Sequence, residues 1–215
     1  MKAKRLSWAK KYVNKSTEFW SNVIFTDECK IELYPNKIRS LVRRKKNSDP
    51  LFYKYTTPTI KFSQSIMIWG CFSSKGTGRI HLCSSTINSE RYIEILDSKF
   101  LPSTHYFGLQ DCFIFQDDSA PIHRSKRTED WKRSKNFRCL DWPGNSPDLN
   151  PIENIWKVLK SKVHKRQPKS LKELKKDVIQ VWRDEITPTL CEHLVESMKN
   201  RCRLVIKAKG GSTKY

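Results

Sequence analysis

Two apolar runs in this sequence end in carboxylates. Val23-Ile24-Phe25-Thr26 leads into Asp27-Glu28, and Cys112-Phe113-Ile114-Phe115-Gln116 leads into Asp117-Asp118. A third acid, Glu153, follows Asn150-Pro151-Ile152 in the first turn of an expected helix. Short runs rich in branched and aromatic residues read as buried strands, so both Asp positions are expected at rigid strand ends. Carboxylates held there and on a helix are hard oxygen donors of the kind Mg²⁺ takes while keeping several waters. Such a set can hold two ions about 3.5–4 Å apart, one serving the attacking oxygen and one the leaving oxygen of a phosphoryl transfer. Each acid also has a purely structural reading. An Asp at a strand end is commonly a turn residue or a cap. Asn150-Pro151-Ile152-Glu153 fits a capping box, with Asn150 as the cap and Pro151 at the first helical position. Spacing alone leaves both readings of Glu153 open.

Composition narrows the partner. The 215 residues carry 42 Lys+Arg against 22 Asp+Glu, a formal charge of +20. A compact domain with that self-repulsion calls for a polyanion, and nucleic acid fits better than an anionic membrane surface. Seven Trp, ten Phe and seven Tyr supply a core that a disordered basic tail would lack. No run of apolar residues is long enough to span a bilayer, and residues 1–15 have no apolar centre of the signal-peptide kind. The seven cysteines form no Cys-x-x-Cys pair, which argues against a zinc site or a disulfide frame and for a reducing compartment. With DNA as partner, that compartment is expected to be the nucleus.

The elements that must position the acids follow from periodicity. Residues 3–20 are expected to form a helix and its exit, and 23–26 a first strand. Lys30–Tyr34 alternates as a half-buried strand pairing with it. Residues 36–60 show no sustained period and hold the basic cluster Arg43-Arg44-Lys45-Lys46. A loop of that length inside a compact domain is usually functional or disordered. Ser65–Phe72 reads as a central strand and Arg79–Cys83 as a fourth. A helix over 89–100 is capped by Asn88. Cys112–Phe115 and Phe137–Trp142 supply further strands around a helix over 122–135. Helices over 152–165, about 169–185 and about 188–207 close the chain. The expected architecture is one mixed α/β domain over residues 1–215.

Three segments together resemble the Tc/mariner superfamily of DDE transposases: VIFTDECKIEL (23–33), QDDSAPIHRS (116–125) and DWPGNSPDLNPIENIWKVLKSKV (141–163). The resemblance runs from about Leu6 to the last helix and includes PTIKFSQSIMIWGCF (58–72). It implies Asp27, Asp118 and Glu153 as the catalytic, metal-binding acids. Thirty-four residues separate Asp118 from Glu153, the spacing of Tc-type members, which selects Asp118 over Asp117. The implied fold is similar to ribonuclease H, an α/β mixed five-stranded sheet flanked by helices. Its first acid lies on the first strand, the second just after the fourth, and the Glu on a late helix. The implied activity is cleavage and strand transfer of double-stranded DNA, transposon ends and target alike. Two Mg²⁺ ions, or Mn²⁺ in their place, are the expected cofactor, and no small-molecule cofactor is implied.

The insertion at 36–60 matches the place of a clamp loop through which relatives form a homodimer. Relatives also begin with a paired-type helix-turn-helix region that reads the transposon ends. This sequence starts almost at the catalytic domain, so that region and its sequence recognition are expected to be absent. An alternative is therefore a truncated or domesticated derivative that binds DNA without cutting it. Ser119 stands where relatives carry Asn, which weakens support for a metal. His123 and Asn154 are further candidates for support, His123 with an equally good structural reading. Lys157 and Lys160 follow Glu153 at helical spacing and His164 continues the row, a candidate DNA-facing stripe or an ordinary solvated face. With Arg43, Arg44, Lys45 and Lys46, the two lysines are the expected phosphate contacts, salt-dependent and poor in base specificity.

Overall fold

The computed structural model describes residues 1–34, 46–47, 63–83 and 87–215. The insertion expected over 36–60 therefore lies outside the described residues, with Arg43, Arg44 and Lys45, except for an exposed turn at Lys46 and Asn47.

The N-terminal stretch is two helices rather than one. Helix α1 (Lys2–Tyr12) buries Trp8, Ala9 and Tyr12. Ser16 then opens α2 (Thr17–Ser21), its hydroxyl accepting from the Phe19 N–H, because a free Ser before Thr-Glu offers a new cap just where the first helix runs out. Strand β1 (Val23–Glu32) follows. The sequence predicted a first strand ending near Asp27 and a separate partner over 30–34. The chain instead runs straight through the acids as one strand. Cys29 and Ile31 are buried on the same side as Phe25, so the period of two is never broken and nothing calls for a turn.

Strand β2 (Ser65–Ser73) lies antiparallel to β1, with Asp27 opposite Gly70 and Phe25 opposite Phe72. The strand expected over 79–83 is two short pieces, β3 (Gly76–Thr77) and β4 (His81–Cys83), both antiparallel to β2. Their registers differ by one residue, so they are two ends of one interrupted strand with a bulge between. Strand β5 (Ile114–Gln116) pairs parallel with β1 on the other side. The result is a mixed five-stranded sheet in the order β3-β2-β1-β5, with β4 also on β2. If β3 and β4 count as one strand, Asp118 follows the fourth. The strand expected over 137–142 is reduced to one parallel bridge, Cys139 to Phe115.

Helices cover both faces. On one side, α3 (Ser89–Ile95), capped by Asn88, continues through a π-helical turn (Leu96–Phe100) into α4 (Leu101–Tyr106). This helix outlasts the expected end at residue 100. The π turn is where the ladder adjusts beside Pro102, which has no N–H to give. Helix α5 (Lys126–Ser134) begins later than expected, at the Ser125 cap. Together these elements bury Ile24, Trp69, Cys71 and Phe115. On the other side, α6 (Ile152–Lys165), α7 (Leu171–Asp184) and α8 (Pro188–Lys207) match the expected helices closely. With α1 they cover Val23, Phe25, Cys29 and Ile31. All seven cysteines are free, and no helix among the described residues is long and apolar enough to cross a membrane.

Gly70 fixes how closely α6 approaches the acids. A Cβ built there would meet the Trp156 ring at 2.8 Å and the Trp182 ring at 3.0 Å. Trp156 lies one helical turn beyond Glu153, so the bare backbone opposite Asp27 lets α6 settle onto the sheet beside it. Gly70→Ala is expected to cost about 1–3 kcal/mol by overpacking. It should also weaken divalent-ion binding by moving α6 outward. Urea denaturation and metal titration of the same variant check both.

Candidate active site

The parallel β1–β5 pair ends at Phe25 and Gln116, and both Asp candidates lie just past that point. A crevice outside the carboxyl ends of parallel strands is the usual place for a ligand in such sheets. Three polar side chains tie the crevice together. The Thr26 N–H donates to Gln116 Oε1 at 3.2 Å, and its hydroxyl donates to the Gln116 carbonyl at 2.8 Å. Asn150 Nδ2 donates to the Thr26 carbonyl at 3.5 Å. Thr26 precedes Asp27, Gln116 stands shortly before Asp118, and Asn150 stands shortly before Glu153. One buried knot therefore spaces the three acids. Sequence reasoning missed Thr26 and Gln116 in this role. Their signal was a polar residue closing each apolar run.

Asp117 and Asp118 take opposite environments. Asp117 is buried and ion-paired to the equally buried Lys132, with the Tyr92 hydroxyl donating to it at 3.3 Å. It is a core ion pair. The Asp118 side chain is 48% exposed and faces the crevice. Its Oδ1 accepts from His123 Nδ1 at 2.6 Å and from the Ala120 N–H at 2.8 Å. The His123 contact holds the Asp118 carboxyl below the usual range.

Asp27 is the strained member. Burial first, then the charges of Glu28, Glu153 and Asp118, push its carboxyl up to about 8, against an opposing hydrogen bond from the Glu28 N–H. The three acids therefore act on one another, and no cation is among the causes of the Asp27 shift, whereas His123 and Arg124 lower Asp118. No group of three His, Cys, Asp or Glu side chains among the described residues is arranged to hold a metal ion as it stands. A hydrated Mg²⁺ needs only one or two carboxylates, so open carboxylates in mutual repulsion fit such an ion by donor type and charge.

The capping-box reading of Glu153 is half realised. Asn150 Oδ1 accepts from the Ile152 N–H at 3.3 Å, but the Glu153 carboxylate returns no bond and is left for the crevice. Asn154 does not face it: its Oδ1 accepts from Arg201 at 2.8 Å. Arg201 also donates to the Asp148 carbonyl, and Arg5 holds the Asp148 carboxylate through two bonds at 2.7 and 2.8 Å. The loop before α6 is thus anchored to α1 and α8 through Asp148.

The other candidates scatter. Ser119 is exposed beside Gly144. His123 is buried. Burial would lower its pKa, but Asp118, Glu28 and Asp117 outweigh that and raise it to about 9. Lys157 is exposed, whereas Lys160 is partly covered and lies by Cys29. His164 Nε2 meets the Glu32 carbonyl at 2.9 Å, so the end of the row docks α6 to β1 rather than facing solvent. A groove that sequence reasoning missed leads away from Asp118 and Ser119 past Gly144 to Lys4 and Lys11 on α1.

A mixed sheet with one acid just past the end of its parallel pairing on each strand, joined by a third acid on a late helix, fits a class of metal-dependent nucleic-acid enzymes. Residues 22–175 match the family described as DDE superfamily endonuclease. The chain is 33% identical to the Tc1 transposase of Caenorhabditis elegans, over 98% of this chain and 77% of that protein. It is 34% identical to the Tc3 transposase of the same organism, over all of this chain and 63% of that one. The catalytic domain of the Mos1 mariner transposase superposes with a TM-score of 0.76 at 16% identity, covering 99% of this chain and 95% of that domain. The Mos1 paired-end complex with the left transposon end gives 0.81 at 18% identity, but this chain spans only 62% of that transposase chain. The chain belongs to the DDE superfamily endonucleases, within the Tc/mariner transposases, and has their ribonuclease H-like fold.

Proposed function

We propose that this chain cleaves DNA strands and transfers their 3′ ends, with Asp27, Asp118 and Glu153 holding two divalent ions, Mg²⁺ or Mn²⁺. The observation that carries this is the placement of the acids: Asp27 and Asp118 lie just past the end of the parallel β1–β5 pairing, and the Thr26–Gln116–Asn150 hydrogen bonds tie both to the start of α6 and Glu153. Two ions there would supply Lewis acidity at the attacking and leaving oxygens of an in-line displacement. The chain's own residues do the rest. Asp27 is fixed by the strand, Asp118 by His123 and Ala120, and Glu153 by an anchored helix. Lys4 and Lys11 line the groove that leads to Asp118, and there and at the exposed Lys157 a phosphate backbone would gain from cations and lose affinity steeply with salt.

Mos1 transposase has been solved as a paired-end complex with transposon-end DNA and with Mg or Mn, which supports duplex DNA as substrate and divalent metal as cofactor here. A homodimer through residues 36–60, with Arg43, Arg44, Lys45 and Lys46 on phosphate, and work in the nucleus are part of the same proposal.

The test is cleavage of a labelled duplex by the purified chain with Mn²⁺, beside Asp118→Ala. Nicking that needs Mn²⁺ and disappears in the variant is the expected result. Salt-sensitive binding with no nicking in either protein would leave a DNA-binding derivative and overturn the catalytic reading.

A further inference from the structure

We propose that Glu28 is a positioning residue for Asp118, acting through His123; this rests on the metal-site reading above. Strand alternation puts Asp27 and Glu28 on opposite faces of the sheet. Asp27 shares the side of Phe25 and Cys29, under α6, while Glu28 shares the side of Ile24, under α3. Glu28 therefore does not join the three acids directly. Its Oε1 is buried, accepts no aligned hydrogen bond, and lies 3.4 Å from His123 Nε2, itself buried and otherwise without a partner. Two unsatisfied buried polar atoms of complementary kind facing each other make a contact that closes with a small rotation.

His123 is held ready for it. Its ring stacks on Tyr92 with centroids 4.1 Å apart, and its carbonyl accepts from Lys132 at 3.1 Å. Its other nitrogen, Nδ1, meets Asp118 Oδ1 at 2.6 Å. Glu28 thus reaches both Asp candidates: its backbone N–H donates to Asp27 Oδ1 at 2.8 Å, and its side chain faces the imidazole that orients Asp118. A carboxylate oriented in this way needs no further ordering when an ion arrives. Loss of such an outer partner typically weakens metal affinity by about 10–100-fold.

The experiment is Mn²⁺ binding to the full chain by titration calorimetry, with the melting temperature of each metal-free variant as a folding control. Glu28→Met, which keeps volume and removes the acceptor, is expected to weaken Mn²⁺ binding by about 10-fold or more. Glu28→Gln, which keeps an acceptor for Nε2–H, should stay within about threefold of the parent, because the link it preserves is the one at issue. His123→Asn keeps a donor near the Nδ1 position but cuts the link to Glu28. In that background Glu28→Met should add nothing, the mark of two residues acting in series. The inference is overturned if Glu28→Met leaves affinity unchanged, or weakens it equally with and without His123. Asp118→Ala separates the two levels: if it too leaves Mn²⁺ affinity intact, the metal-site reading fails and takes the inference with it.

Discussion

Asp27→Asn is expected to do two opposite things, stabilising the metal-free protein at neutral pH and removing metal-dependent nicking of DNA. The first follows from linkage. The folded carboxyl sits at about 8 against an ordinary 3.8, so the folded state holds that proton more tightly than the unfolded chain does. Its contribution to stability is full below the ordinary value and is lost as pH rises toward 8. At pH 7 the unfolded chain has released the proton, and the folded protein either keeps it or carries an ill-placed charge. Asn removes that cost while keeping an oxygen for the Glu28 N–H. A gain of 1 kcal/mol would raise Tm by about 2–4 °C in a chain of this size. His123, raised to about 9, adds a loss in the same direction at higher pH, so the variant, which retains His123, is the proper reference. Melting curves at pH 5 and pH 8 should differ more for the parent than for Asp27→Asn. Added Mn²⁺ should stabilise only the parent.

Lys132→Met carries the largest expected loss of stability. Lys132 and Asp117 are each 2% exposed and paired to one another, and Lys132 also donates to the His123 carbonyl. Without Lys132, Asp117 keeps only Arg124 at 3.7 Å and the Tyr92 hydroxyl at 3.3 Å, and breaking a buried pair in this way costs about 3–5 kcal/mol. The double variant Asp117→Asn/Lys132→Met should recover part of that loss, since no ionised carboxylate then remains buried at that position. Urea midpoints of the three proteins check it. If the single variant is as stable as its parent, Asp117 is not the buried ion that the geometry makes it.

Asp117 and Asp118 show why the sequence could name one acid and could not explain the other. Adjacent carboxylates at a strand end look alike in sequence, and spacing to Glu153 singled out Asp118 only through family resemblance. What separates them physically is Lys132, fourteen residues beyond Asp118 on another element, a partner no local pattern announces. The long helices α6, α7 and α8 were legible because their apolar stripes are long and capped. The break between α1 and α2 was announced by Ser16, yet a continuous basic, aromatic stretch masked it. β1 was split in the sequence reading because acids were taken to end a strand. Its apolar face in fact continues through Cys29 and Ile31. The short strands were the least legible: three residues of β4 and one bridge at Cys139 owe their pairing to neighbours distant in sequence. Thr26 and Gln116 stood out only as polar residues closing apolar runs and Asn150 only as a cap, and their bonds to one another appear once the strands are laid side by side.

The most direct test of the central claim is anomalous scattering from Mn²⁺ in crystals of this chain. Mn²⁺ is expected in the crevice at Asp27, Asp118 and Glu153, with no ion on Asp117. Well-ordered crystals grown in Mn²⁺ that show those carboxylates without metal, or with the ion seated on Asp117 or Asp148 instead, would contradict it.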